Sequence, residues 1–163
     1  GQVDKYKWVS LGSSFVLSNL QIAFLFGQLE RTTYVTQTRS SVWYSYHEKL
    51  KELETAGCLT RPSIEPGASI NGHIYYVRLA SRFNRACVIN SLKCEGINVL
   101  SHYDPLHCSP AGIKFGRISG KLDITKDASS KLIRLPIWPQ ISEEQINKVV
   151  NQLERVLLSD QHA

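Results

Sequence analysis

The sequence predicts an α+β fold: a helical lead-in, then a few-stranded sheet flanked by helices. Three observations carry this reading. A capping box opens an apolar-faced helix near residue 18, strand-like and helical segments alternate over 73–100, and an amphipathic helix begins after Ser142. The chain has 163 residues, 42% hydrophobic and 20% charged, so it can support one core without disulfides or metal. Collagen-like, mucin-like and disordered classes are excluded.

In Ser18-Asn19-Leu20-Gln21 the hydroxyl can accept from the third helical amide while Gln21 reaches back, and Leu20, Ala23, Phe24 and Gly27 then share a face. The threonine-rich run 32–38 taken alone favours extended structure. Val42, Tyr46, Lys49, Leu50 and Leu53 resume a helical spacing that Gly57 terminates. Segment 61–71 holds two prolines and Gly67 and reads as a surface connection. Segment 73–79 is strand-like, and 82–95 is helical, with Ala86, Ile89, Asn90 and Lys93 as a face and Gly96 as its stop. Segment 97–100 is a short strand, 101–120 a loop, and 132–137 an extended segment whose Pro136 and Pro139 mark an edge or a strand end. Ser142-x-x-Gln145 is a second capping box, and Ile146, Val149, Val150, Leu153, Val156 and Leu157 form the stripe of a docking helix. These elements group as a helical lead-in over 1–60 and an α+β part over 61–163, together one compact unit.

No apolar run exceeds 22–26, far below the roughly 20 residues that cross a bilayer. No secretory signal opens the chain, so a cytoplasmic setting with reduced thiols is expected. The four cysteines, at 58, 87, 94 and 108, lack metal-ligand spacing and are read as structural, filling gaps in the core. Zinc is not expected. No methionine occurs, so Gly1 is read either as preceded by more chain or as exposed by processing.

Nineteen basic against 14 acidic residues give a net charge of +5. The excess concentrates at Lys114, Arg117, Lys121, Lys126, Lys131 and Arg134, against Asp123 and Asp127. This suits a nucleotide pyrophosphate, a nucleic-acid backbone or a solvated charged face. The aromatic and glycine motifs of common nucleic-acid modules are missing, so no specific nucleic-acid partner is expected. No membrane partner is expected either.

Chemistry-bearing side chains gather over 101–112, where His102 and His107 flank Pro105 beside Tyr103, Asp104 and Cys108. A Cys108/His107 nucleophile pair would need the two side chains to meet and a third group to orient the base. The alternative is a turn-rich loop. His73 lies in a strand and reads as a core or interface histidine, Arg134 as an ion-pair former, and Trp43 and Tyr46 as core.

The run HYDPLHCSPAGIKFGR (102–117), followed by RLPIWP (134–139) and ISEEQ (141–145), closely resembles the C-terminal region of DegT-type sugar-nucleotide aminotransferases. It is most similar to the dTDP-4-amino-4,6-dideoxygalactose transaminase subgroup. The likeness extends back through NGHIYYVRL (71–79) and LGSSFVLSNLQIAFLFGQLE (11–30) to the first residues, covering essentially the whole chain. It implies the small C-terminal domain of an aspartate-aminotransferase-like, fold type I enzyme that uses pyridoxal 5'-phosphate. The implied reaction moves an amino group from glutamate to a dTDP-4-keto-6-deoxyhexose, in a homodimer whose helices near the N-terminus contact the neighbouring subunit. The Schiff-base lysine and the pyridine-nitrogen acid would lie upstream in a large domain, so this chain alone is expected to hold neither catalytic residue nor cofactor. By resemblance, Ser13 and Ser14 approach the cofactor phosphate of a neighbouring subunit. His102, Tyr103 and His107 line the sugar-nucleotide, with Lys114 and Arg117 adding charge. The alternative is a stand-alone, non-enzymatic module that binds a nucleotide sugar or self-associates.

Overall fold

The computed structural model describes residues 16–159, which fall into two compact units divided between residues 33 and 34. In the first unit, α1 (Asn19–Glu30) begins at the expected capping box. The Ser18 amide donates to Gln21 Oε1 at 3.0 Å, and the Gln21 amide donates to Ser18 Oγ at 3.4 Å. None of the α1 side chains is buried. Arg31 ends the helix, its amide turning back to the Gln28 carbonyl.

The second unit begins within α2 (Thr32–Lys49), so the threonine-rich run is helical rather than extended. One of its hydroxyls finds an acceptor inside the helix: Thr38 Oγ1 donates to the Tyr34 carbonyl at 2.8 Å. Burial of Val42, Trp43 and Tyr46 three and four residues apart then outweighs local β propensity. The short α3 (Lys51–Thr55) follows, and Gly57, at φ +69°, turns the chain into β1 (Leu59–Thr60).

A four-stranded antiparallel sheet has the order β1, β2 (Tyr75–Leu79), β4 (Leu132–Leu135), β3 (Leu100–Ser101). β4 is therefore an inner strand, and its prolines mark its end, not an edge. The third strand is shorter than expected, because Ile97 and Val99 are buried without joining the ladder. Tyr75, Val77, Leu79, Ile133 and Leu135 occupy one face of the sheet and lie in the core. Two helices share that core, α4 (Arg85–Cys94) with Val88 and Leu92 and α7 (Glu143–Ser159) with Ile146, Val149, Val150, Leu153 and Leu157. The buried face of α4 differs from the expected one, since Ala86, Asn90 and Lys93 are exposed. Both helices start as local chemistry dictates: Asn84 Oδ1 accepts from the Ala86 amide at 2.9 Å, and the Ser142 amide donates to Gln145 Oε1 at 2.9 Å.

Tight contacts close the core. The Tyr46 hydroxyl donates to the Pro136 carbonyl at 2.9 Å, and its ring stacks on Tyr75. Arg61 grips Glu54 through both its amide and its Nε, each at 2.7 Å, and its guanidinium also donates to the His47 carbonyl. Gly72 is buried at φ +63°, and a Cβ there would lie 2.5 Å from the Arg39 carbonyl carbon. Only glycine allows this approach to α2.

The cysteines depart from expectation. Cys58 is buried, but Cys87, Cys94 and Cys108 are exposed and fill no gap in the core. Among the described residues no helix is long and apolar enough to cross a membrane, and no His/Cys/Asp/Glu group is arranged to hold a metal.

Candidate functional site

The helices α4 and α7 share the core with one side of the sheet, so the other side carries Tyr76, Arg78, Leu132 and Arg134. Strand register sets their neighbours: Arg134 pairs with both Tyr76 and Leu100, and Leu132 with Arg78. At the β3 exit the chain delivers His102 and Tyr103 beside this face. Their rings meet edge to face with centroids 5.5 Å apart, and the Arg134 guanidinium carbon lies 6.0 Å from the Tyr103 ring.

His102 lines a hollow of about 210 Å³ together with His73, Ile74, Tyr76 and Leu132. His73 is exposed and not a core residue, and its Nδ1 lies 2.6 Å from Asn71 Oδ1. It also borders a second cavity of about 320 Å³, whose other lining side chains include Asn98, Arg134 and Trp138. Arg134 makes no ion pair among the described residues, and its buried Nε has no hydrogen-bond partner, so the ion-pair expectation fails.

His107 sits apart from this pair. It belongs to a 3-10 turn, Leu106–Cys108, that feeds the short α5 (Pro110–Phe115). Ser109 caps α5 by accepting from the Gly112 amide at 3.0 Å and donating to the Leu106 carbonyl at 2.8 Å. The turn is so tight that a Cβ on Gly112 would fall 1.6 Å from the Leu106 oxygen. His107 and Arg117 line a third hollow, about 540 Å³, with Phe115, Ile118 and Leu122 as apolar walls. Lys114 lies over the Phe115 ring at 5.0 Å, exposed and outside these hollows. No hydrogen bond joins the His107 ring to Cys108 among the described residues, which leaves the nucleophile-pair reading without geometry. Ser13 and Ser14 lie outside the described residues.

The candidate residues thus form two groups: His102 and Tyr103 at the sheet face, and His107 and Arg117 in the α5 hollow. Sequence reasoning assigned His73 and Arg134 to structural roles and passed over Asn98 and Trp138. The available signal was strand alternation, which puts Tyr76 and Arg134 on the same side once the two segments pair. The segment Asp123–Lys131, which forms α6, gave no helix signal strong enough to register.

Comparison with known proteins supplies the class. Residues 1–154 match the DegT/DnrJ/EryC1/StrS aminotransferase family, and the chain belongs to it. Among curated relatives it is 27% identical over 155 residues to the erythromycin biosynthesis sensory transduction protein EryC1 of Saccharopolyspora erythraea, covering 94% of this chain and 41% of that protein. It is 24% identical over 149 residues to the dTDP-3-amino-3,4,6-trideoxy-alpha-D-glucose transaminase of Micromonospora megalomicea, covering 90% and 39%. Its structure resembles that of S. venezuelae DesV in complex with a ketimine intermediate, with TM-score 0.83 and 25% identity over 94% of this chain and 40% of that one. Helicobacter pylori PseC shares the fold at TM-score 0.81 and 20% identity over 96% and 42%. The α+β fold is the small-domain fold of these fold type I aminotransferases. The chain spans about 40% of the length of the relatives it matches.

Proposed function

We propose that this chain is the C-terminal part of a sugar-nucleotide aminotransferase and contributes half of a composite active site. The observation that carries the reading is family membership over 1–154 combined with a span of only about 40% of the relatives. The parent reaction would be glutamate-dependent amination of a dTDP-4-keto-6-deoxyhexose, in the dTDP-4-amino-4,6-dideoxygalactose transaminase subgroup. Pyridoxal 5'-phosphate would supply the electron sink for amino transfer when bound. The described residues do not fit that group by themselves. None of their lysines is buried, and Lys49 and Lys131 are tied at the surface to Glu143 and Asp127. An amine tied to a surface carboxylate has neither the apolar pocket nor the cationic neighbour that activates a Schiff-base lysine. The chain alone is therefore inactive in this reading, the large cofactor-binding domain being outside it.

In the assembled homodimer, Ser13 and Ser14 would approach the cofactor phosphate of the neighbouring subunit. His102, Tyr103, His107, Lys114 and Arg117 would meet the nucleotide sugar, hydroxyls and imidazoles orienting it and cations balancing the pyrophosphate. The test has two arms. The chain alone should show no stoichiometric lysine adduct with pyridoxal 5'-phosphate after borohydride reduction, and no amino transfer. Joined to a lysine-bearing large domain of this family, it should restore amination of a dTDP-keto sugar, and His102→Ala and His107→Ala should each lower that rate. Stoichiometric adduct formation by the chain alone would sink the proposal.

A second reading, self-association of a non-catalytic module, is favoured by α1, where Leu20 is 82% and Phe24 72% exposed. Sedimentation of the native chain and of Phe24→Asp decides it: a dimer abolished by the substitution supports it, and a monomer at high concentration excludes it.

A further inference from the structure

We propose that a hollow of about 310 Å³, bordered by α2, β2 and the loop between β1 and β2, binds a small organic cation whose charge is a methylated ammonium group. The proposal is independent of the aminotransferase reading and uses none of the residues assigned to the cofactor or the nucleotide sugar.

The charge of this hollow is the reverse of that of its neighbours. The hollows beside Arg134, His107 and His102 each carry a base and the chain as a whole stands at +5, yet here the one charged side chain in the lining is Glu65. Glu65 makes no ion pair among the described residues. The base nearest to it in sequence, Arg61, is already held by the Glu54 carboxylate and the His47 carbonyl. A carboxylate facing a hollow that holds no base of its own favours a cation there.

The remaining walls decide which cation fits. Trp43 is fixed in place, stacked on His47 with ring centroids 4.8 Å apart and set edge to face against Tyr75, while Tyr76 is 36% exposed and is the ring a ligand can reach. An aromatic face attracts a cation through its quadrupole, and methylated ammonium groups suit it because they also bury carbon against the ring. Pro62, Ile64 and Ile70 complete the lining with carbon alone. They cover methyl groups well, whereas the three donors of a primary ammonium would lose water to surfaces that return no hydrogen bond. A hard metal ion would find a single carboxylate where several oxygen ligands are needed. The loop is shaped in advance: the Ala68 amide donates to the Glu65 carbonyl at 3.0 Å across Pro66 and Gly67, the latter at φ +81° as the turn requires. The volume lies at the lower end of small-molecule sites, which suits a ligand of a few carbons.

The test titrates the 163-residue chain at constant ionic strength with choline, with its uncharged tert-butyl isostere and with ethanolamine, reading the Trp43 indole resonance in a proton–nitrogen spectrum. Choline should saturate the shift at concentrations on the order of millimolar. The isostere keeps the shape without the charge and ethanolamine keeps the charge without the methyl groups, so each should bind about fivefold more weakly or worse. Glu65→Gln should weaken choline about threefold, as the loss of an exposed ion pair does, and Tyr76→Leu by about the same factor. Spectral dispersion shows whether each variant folds, and Glu65→Gln, on the exposed loop, carries the test if the Tyr76 variant does not. The assignment is overturned if choline gives no saturable shift, if the isostere or ethanolamine binds as tightly as choline, or if folded Glu65→Gln binds choline unchanged. Tighter binding of a trimethyllysine peptide than of choline would also overturn it, by making the ligand a protein segment and not a small molecule.

Discussion

The hydroxyl of Tyr46 donates to the carbonyl of Pro136 at 2.9 Å, joining the middle of α2 to the residue just past β4 across 90 positions of sequence. The tyrosine is wholly buried, and burial alone pushes its phenol far above the usual tyrosine range, so the proton needed for this bond stays in place at any working pH. Tyr46→Phe keeps the ring stack on Tyr75 and removes only the donor. The expected loss is about 1–2 kcal/mol, because the carbonyl is left unpaired. Urea denaturation should show a lower midpoint with an unchanged slope.

Gly72 combines a positive φ with a close backbone approach. Gly72→Ala meets both a positive φ and a backbone atom of α2 at 2.5 Å, and the second obstacle cannot rotate away. A loss of about 2–4 kcal/mol is expected, in contrast with a smaller cost for Gly67→Ala, where φ is also positive but the space is open. Equal costs at the two sites would show that conformation, not approach to α2, governs Gly72.

Acid should weaken the fold through His47. Burial lowers its pKa first and the Arg61 charge adds to that, with Glu48 and Glu54 opposing; the ring also stacks on Trp43. Because the folded pKa lies below the unfolded one, the folded state binds fewer protons in the window between them. His47 therefore contributes fully above its unfolded pKa, about 6.5, and progressively less as pH falls below it. Glu54 acts in the same direction at lower pH: burial would raise its pKa, but hydrogen bonds and charge from Arg61 outweigh this and hold it below the ordinary value. Stability measured from pH 7.5 to 5 should fall in the native chain and fall less in His47→Phe.

The thiols separate cleanly by burial. Cys87, Cys94 and Cys108 should react with a disulfide reagent in the native protein, while Cys58, with no exposed surface, should wait for unfolding. Counting fast and slow thiols gives three and one if this is right; two slow thiols would contradict it.

The contrast between elements that were foreseeable and those that were not has a physical source. α7 and both capping boxes were readable because their signals are local: a long apolar stripe at helical spacing and paired Ser and Gln side chains. Run 32–38 misled because threonine prefers strands in isolation, whereas here the Thr38 hydroxyl bonds back into the helix and distant residues bury the same element further along. On α4 two apolar faces competed, and the winning pair, Val88 and Leu92, was decided by what the sheet and α7 offered. The same limit governs the site. His102 and Tyr103 stood out as residue types, yet their place beside Arg134 comes from pairing between strands some 30 residues apart, and the separation of His107 from them comes from a turn that Gly112 alone permits.

The sheet ends on both sides in strands only two residues long. An incoming chain would find almost no ladder to extend at β1 or β3, so the sheet is closed to growth by strand addition. Brevity thus disfavours fibril-like stacking at these borders, and at β1 the charge of Arg61 and the ring of Pro62, which follow the strand directly, act in the same direction.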